Sequence, residues 1–321
     1  MLHTLNDRSF LDSSTCPGPH DVLVRLLAAG ICHTGFGAAA DWGAPSLPCV
    51  FGREAVGVVE AVGDSVSRIR RGDQVLLNPG SHAAADDAGT ARRPTAALVV
   101  HERSVTSIAR DMAPATLAPF GYSVRVGAGA VLDTLRPGRD DRFAVFGADA
   151  VGMAAVMGAK LLGVGTILVV DPLPHRRALA LDLGATCVLD PLAADVVAQW
   201  RQACPAGVTH ALDTTGSAEV VRQALSSLSS HGRLAAPLLG DGEPQLEDNA
   251  RGAGAVRTGA RLIRTQATVP DLDLALARLL DLHDQGLLPV EDIVETYLLD
   301  DLDKALAHGA DGVSVKPVLV F

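Results

Sequence analysis

The stretch Arg142–Gly152, RFAVFGADAVG, decides how this chain is read. Phe143 to Phe146 is a short apolar strand. It runs into a glycine turn that opens a stretch of small and apolar residues, Ala150 to Leu162, suited to a helix packed closely on a sheet. With Gly147 first and Gly152 last, the turn follows the G-x-G-x-x-G pattern that cradles a dinucleotide pyrophosphate at a helix N-terminus. The middle position departs from it. Asp149 stands where a small residue lets backbone approach the phosphates, and a carboxylate there adds bulk and negative charge facing a negative ligand. Its readings stay open: it faces solvent and the cofactor binds more weakly or in an altered pose, or it excludes dinucleotide or serves as an acid–base group in an emptied cleft.

The surrounding unit supports the pattern. A second strand, Thr166–Val170, ends at Asp171. Roughly 20 residues past a glycine turn is where a carboxylate bonds the ribose hydroxyls of NAD. Gly147, Asp149, Ala150, Val151 and Gly152 are therefore candidates for the pyrophosphate, and Asp171 for the ribose. An acidic residue there repels a 2′-phosphate and favours NAD(H) over NADP(H). Arg176 and Arg177 soften that preference, since either could reach a phosphate.

Working outward, the chain alternates strand-like runs (143–146, 166–170, 208–212, 232–236, 261–265) with helix-like runs (151–163, 174–183, 193–203, 217–229, 271–285). That alternation predicts an α/β domain, a parallel sheet wrapped on both faces. The first ~120 residues differ: β-rich runs at 22–27, 56–62, 74–77 and 96–100 are separated by Gly, Pro and Asp and predict an antiparallel, barrel-like domain. The tail, 297–299 and 313–320, is again β-like and is expected to return to it. Residues 78–95 are polar, small and low in complexity, as in an exposed loop.

Composition bounds the function. The 321 residues suffice for two domains with cores of their own, and 48% hydrophobic content fits a compact globular protein. No apolar run reaches the ~18 residues of a membrane span, and MLHTLNDRSF has neither the basic region nor the apolar core of a signal peptide. Five scattered cysteines fit reduced thiols and a cytoplasmic location. A net charge of −10 argues against nucleic acid or an anionic membrane as partner.

Further motifs bear a resemblance. Ala28-Ala29-Gly30-Ile31-Cys32-His33-Thr34, Phe51-Gly52-Arg53-Glu54-Ala55-Val56-Gly57, Val62-Gly63-Asp64 and Gly72-Asp73 resemble the catalytic domain of medium-chain dehydrogenase/reductases. Within that superfamily the chain is most similar to zinc alcohol dehydrogenases of the aryl-alcohol type. Gly127 to Leu132, Ala211 to Gly216 and Lys316-Pro317-Val318-Leu319 extend the match. The resemblance implies a GroES-like β-barrel domain, 1–123 and 269–321, split around a Rossmann domain, 124–268, with the active site in the cleft between them. It also implies a small-molecule substrate, and a homodimer joined edge to edge through Rossmann sheets, for which the strand around 261–266 is the expected edge.

The same resemblance sharpens the departures. The family's catalytic zinc is held by a Cys, a His and a Cys, and the corresponding positions here are Cys32, Arg53 and Tyr122. Arginine is a permanent cation that cannot ligate zinc, and tyrosine is outside zinc's usual donor set. The four-cysteine structural zinc lobe is missing, its place taken by the cysteine-free 78–95 loop. Neither a catalytic nor a structural zinc is expected. Cys32, Thr34, Arg53, Glu54 and Tyr122 are the candidate catalytic residues; His33, Thr214 and Lys316 join the cofactor set. Two functions follow. One is a zinc-independent, NAD(P)H-dependent oxidoreductase acting on an activated C=C, carbonyl or iminium. The other is a redox-neutral cyclase, lyase or isomerase of specialised metabolism on the same scaffold, its cofactor site impaired by Asp149.

Overall fold

The computed structural model describes residues 16–31, 54–77, 97–192, 196–236, 261–263 and 272–321. They form two compact units. The first takes the chain up to Gly121 with Thr296–Asp303 and Val318–Phe321; the second takes Tyr122–Glu295 with Lys304–Pro317.

The first unit is built on an antiparallel sheet. Its strands are β1 (Asp21–Gly30), β2 (Ala55–Val62), β3 (Gln74–Leu77), β4 (Ala97–His101) and β5 (Val105–Ser107). Two late strands, β12 (Val294–Leu298) and β13 (Lys316–Val320), join them in the order β12-β13-β1-β2-β3-β5, with β4 also on β1. The Val- and Leu-rich β1 is the hub, because β13, β2 and β4 all pair with it. Val22, Val24, Leu26 and Ala28 on one face are essentially inaccessible to solvent, and Leu23 and Ala29 on the other are buried too, so the hub strand is covered on both faces over part of its length. The β-like tail does return to this sheet, as the sequence suggests.

The second unit carries the six-stranded sheet. β6 (Arg142–Phe146), β7 (Thr166–Val170), β8 (Cys187–Leu189), β9 (Val208–Asp213), β10 (Leu228–Ala235) and β11 (Arg261–Ile263) are all parallel, in the order β11-β10-β9-β6-β7-β8. This is the doubly wound Rossmann order, with its topological switch point between β6 and β9. Ala144 and Phe146 of β6 and Leu168 and Val170 of β7 share a core with Trp200, Val221 and Leu225, which come from the helices Val196–Ala203 and Ala218–Ser227. The alternate residues of β6 turn the other way, and Val145 meets the helix that follows the glycine turn.

Several features differ from the sequence expectation. β8 escapes a periodicity reading because it is three residues long. The helices Pro114–Leu117 and Ser123–Gly129, with the π-helical turn Ala130–Leu135 after them, occupy a Gly- and Pro-rich stretch. Packing accounts for the second of them: a Cβ on Gly127 would stand 2.9 Å from Ala154 Cβ and closer still to the Val151 carbonyl, so only glycine lets the two backbones approach. The division of the chain also falls differently from 269. The helix Leu272–Asp284 packs on Ser123–Gly129, so the chain stays in the second unit through Glu295. Among the described residues no helix is long and apolar enough to cross a membrane.

Candidate cofactor and active site

The site grows from the turn after β6. Gly147 has a φ of +97°, a conformation open to glycine, and its N–H donates to the Val170 carbonyl at 2.9 Å. Thr214, at the end of β9, donates its hydroxyl to the carbonyls of Phe146 (3.3 Å) and Gly147 (3.2 Å). The side chain expected to touch the cofactor thus pins the turn beneath it. The helix Ala150–Leu161 starts immediately afterwards.

Asp149 neither faces idly into solvent nor fills the turn. It is the N-cap of that helix, its Oδ1 accepting the Gly152 N–H at 2.9 Å. Aspartate is among the best residues at such a position because it satisfies an orphan amide and complements the positive helix end. The amides of Ala150 and Val151, first and second in the helix, have no intrahelical carbonyl to bond and point the way a phosphate is received. The carboxylate therefore sits at the same helix end as the Ala150 and Val151 amides, with its Oδ1 taken by the amide of Gly152.

Asp171 is buried, and both its oxygens are held by backbone: Oδ2 accepts from Ala148 N–H and Oδ1 from Leu173 N–H, each at 2.8 Å. One carboxylate fastens the glycine turn to the end of β7. Across the switch point Asp213 is fully buried. Its Oδ1 accepts the Thr215 hydroxyl at 2.7 Å and its Oδ2 the Gly216 N–H at 3.0 Å. Burial pushes its carboxyl above the ordinary carboxylate range; these hydrogen bonds oppose the shift and the charge of Asp149 adds to it. Three carboxylates thus surround the turn.

The cations lie elsewhere than expected. Arg176 is buried, donating to the carbonyls of Gly312 (3.2 Å) and Ser314 (3.3 Å). This corrects the expectation that it reaches a phosphate: it braces the segment before β13. Arg177 donates Nη1 to the Asp171 carbonyl at 2.8 Å and pairs Nη2 with Asp190 at 2.9 Å. Asp190 escaped the sequence reading, although Leu189-Asp190-Pro191 repeats the strand-end pattern of Val170-Asp171-Pro172. Lys316 opens β13 and is buried, so it is no surface charge.

Of the catalytic candidates, Glu54 is fully buried just before β2, its carbonyl accepting the Gly30 N–H at 2.7 Å. Tyr122 is half-buried and caps the helix Ser123–Gly129 through its backbone, its carbonyl accepting the Val126 N–H at 2.7 Å. Cys32, His33, Thr34, Arg53 and the 78–95 loop lie outside the described residues. Among the described residues no three His, Cys, Asp or Glu side chains gather as a metal site.

Known proteins agree with this architecture. Residues 18–105 match the alcohol dehydrogenase GroES-like domain, and residues 150–248 match the family described as zinc-binding dehydrogenase. Geraniol dehydrogenase of Castellaniella defragrans is 30% identical, over 95% of this chain and 92% of its own length. The crystal structure of an alcohol dehydrogenase zinc-binding domain protein from Burkholderia ambifaria has a TM-score of 0.79 at 32% identity, covering 95% of this chain and 92% of that one. Benzyl alcohol dehydrogenase from Acinetobacter calcoaceticus has the same TM-score of 0.79 at 26% identity, covering 95% and 93%. The chain belongs to the alcohol dehydrogenase-like medium-chain dehydrogenase/reductases, a class of NAD(P)-dependent oxidoreductases.

Proposed function

We propose that this protein is an NAD(H)-dependent reductase that works without catalytic zinc on a small molecule bearing an activated carbonyl, C=C or iminium. Two observations support the reading: a turn with the geometry of a dinucleotide cradle, and, in the sequence, zinc-ligand positions filled by residues that do not suit zinc. Gly147 keeps its positive φ, Asp171 is clamped under the turn, and the Ala150 and Val151 amides head the helix. The residues present fit a dinucleotide, held by those amides, by Asp171 at the ribose and by His33, Thr214 and Lys316. They do not fit zinc: of Cys32, Arg53 and Tyr122, one is a permanent cation with no lone pair to give.

A reduced nicotinamide supplies hydride when bound. The chain then has to polarise the electrophile and deliver a proton, the tasks a metal performs in part as a Lewis acid. Arg53 meets the first with a fixed positive charge, and the Tyr122 hydroxyl donates the proton to the developing oxyanion. Oxidation of an unactivated alcohol is disfavoured, because neither group lowers an alcohol pKa as zinc does. A conjugated carbonyl fits best. Oxidation of geraniol or benzyl alcohol, the compounds that name two of the relatives, yields aldehydes of that kind. NADH oxidation by the purified protein over enals, enones, quinones and imines tests the reading. Turnover with one class supports it, and none across the panel contradicts it.

Asp149 favours a second reading, a redox-neutral catalyst, because its carboxylate caps the helix end that a pyrophosphate would approach, near enough for its charge to raise the Asp213 carboxyl. An ordered dinucleotide across the 147–152 turn in a crystal structure would exclude it. A homodimer is also proposed, since β11 is an edge of the six-stranded sheet among the described residues, and an edge strand is a template for pairing with a second copy. Light scattering is expected to give twice the chain mass; a monomer contradicts the proposal.

A further inference from the structure

Both arginines that follow the ribose carboxylate are already engaged. Arg176 is buried against two carbonyls of the 312–314 segment. Arg177 spans the ends of two neighbouring strands. β7 and β8 run parallel with Val170 opposite Leu189, and the Asp171 N–H reaches the Leu189 carbonyl at 3.3 Å. The Asp171 carbonyl and the Asp190 carboxylate therefore sit side by side, and one guanidinium donates to both. Asp190 is itself fixed: its Oδ1 accepts the Leu192 N–H at 2.9 Å and its carbonyl accepts from Gln199 at 3.3 Å. The two side chains are 16% and 28% exposed, so this pair is partly shielded from the solvent screening that erases most surface ion pairs.

An arginine near the ribose carboxylate is the group that accommodates a 2′-phosphate. A planar guanidinium presents its donors as a rigid fork, and two fixed bonds set its orientation. We propose that Asp190 is a specificity-determining residue: by holding Arg177 across the strand ends it withholds that cation from a 2′-phosphate and makes the site selective for NAD(H) over NADP(H). The proposal deepens the reductase reading and rests on it. Asp190 acts through Arg177, so it is a positioning residue, and neutralising it is expected to do more than remove one negative charge.

The test is calorimetric titration with NADH and with NADPH of the wild type, Asp190→Asn, and the double variant Asp190→Asn/Arg177→Ala. Asparagine keeps an acceptor for the Leu192 N–H. Asp190→Ser, which keeps a turn-forming hydroxyl, stands in should that variant misfold. Asp190→Asn is expected to raise NADPH affinity relative to NADH about tenfold, and the gain is expected to vanish in the double variant. An unchanged ratio overturns the proposal. So does a gain of the same size in the double variant, which would make it plain charge removal. Binding of NADH with an unmoved ratio overturns only the role of Asp190; absence of binding of either nucleotide in every protein overturns the reductase reading and this inference with it.

Discussion

Asp149→Asn is expected to tighten NADH binding about tenfold without loosening the fold. Asparagine caps helices as well as aspartate does, so the bond from the Gly152 N–H survives. What disappears is one negative charge beside the amides that would receive a pyrophosphate. A unit charge near two phosphate charges at the edge of a protein costs about 1–2 kcal/mol, which is the tenfold. Asp149→Ala removes charge and cap together; its gain in affinity comes with a stability loss of about 1 kcal/mol. Calorimetric titration and thermal unfolding of the two variants separate the effects. The repulsion is electrostatic, so the gap between wild type and Asp149→Asn is expected to narrow as salt is added. Unchanged affinity in Asp149→Asn would mean that the carboxylate does not face the phosphates.

Gly152→Ala is expected to be far more damaging. A Cβ there would fall on the Gly147 carbonyl oxygen and stand 3.1 Å from Val145 Cγ1. The first obstacle is backbone, so no rotamer relieves it, and the helix must retreat from the turn. A loss of about 3 kcal/mol or more is expected in urea denaturation, together with loss of NADH binding. Gly158→Ala is the control. It lies in the same helix, its nearest neighbours would be 3.4 Å away, and alanine is the better helix former, so little change or a small gain is expected. Equal behaviour of the two variants would refute the close approach at the turn.

The part of this site that is legible in the sequence is the part made by local pattern. Phe143–Phe146, the glycine turn, the helix and a strand ending at Asp171 follow one another within about 30 residues, and periodicity with turn chemistry is enough to read them. Asp149 was legible only as an intruder. Its capping role follows from the preference for aspartate three residues ahead of an orphan amide, a local rule masked by the glycine motif. Arg176 and Arg177 are adjacent and identical in type, and only tertiary structure decides that one braces Gly312 while the other bridges Asp171 and Asp190. The helix Leu272–Asp284 likewise reads as a helix, but nothing in its sequence says which unit it packs on. Cys32, His33, Thr34 and Arg53 were legible through resemblance alone, and the described residues do not include them.

The most direct test of a live cofactor site without zinc is titration of the chelator-treated protein with NADH, its metal content measured on the same sample. The account expects saturable binding, one NADH per chain, in protein free of zinc, with no change when zinc is added back. No NADH binding by the wild type or by Asp149→Asn, or a stoichiometric zinc that chelation removes only with loss of binding, would contradict it.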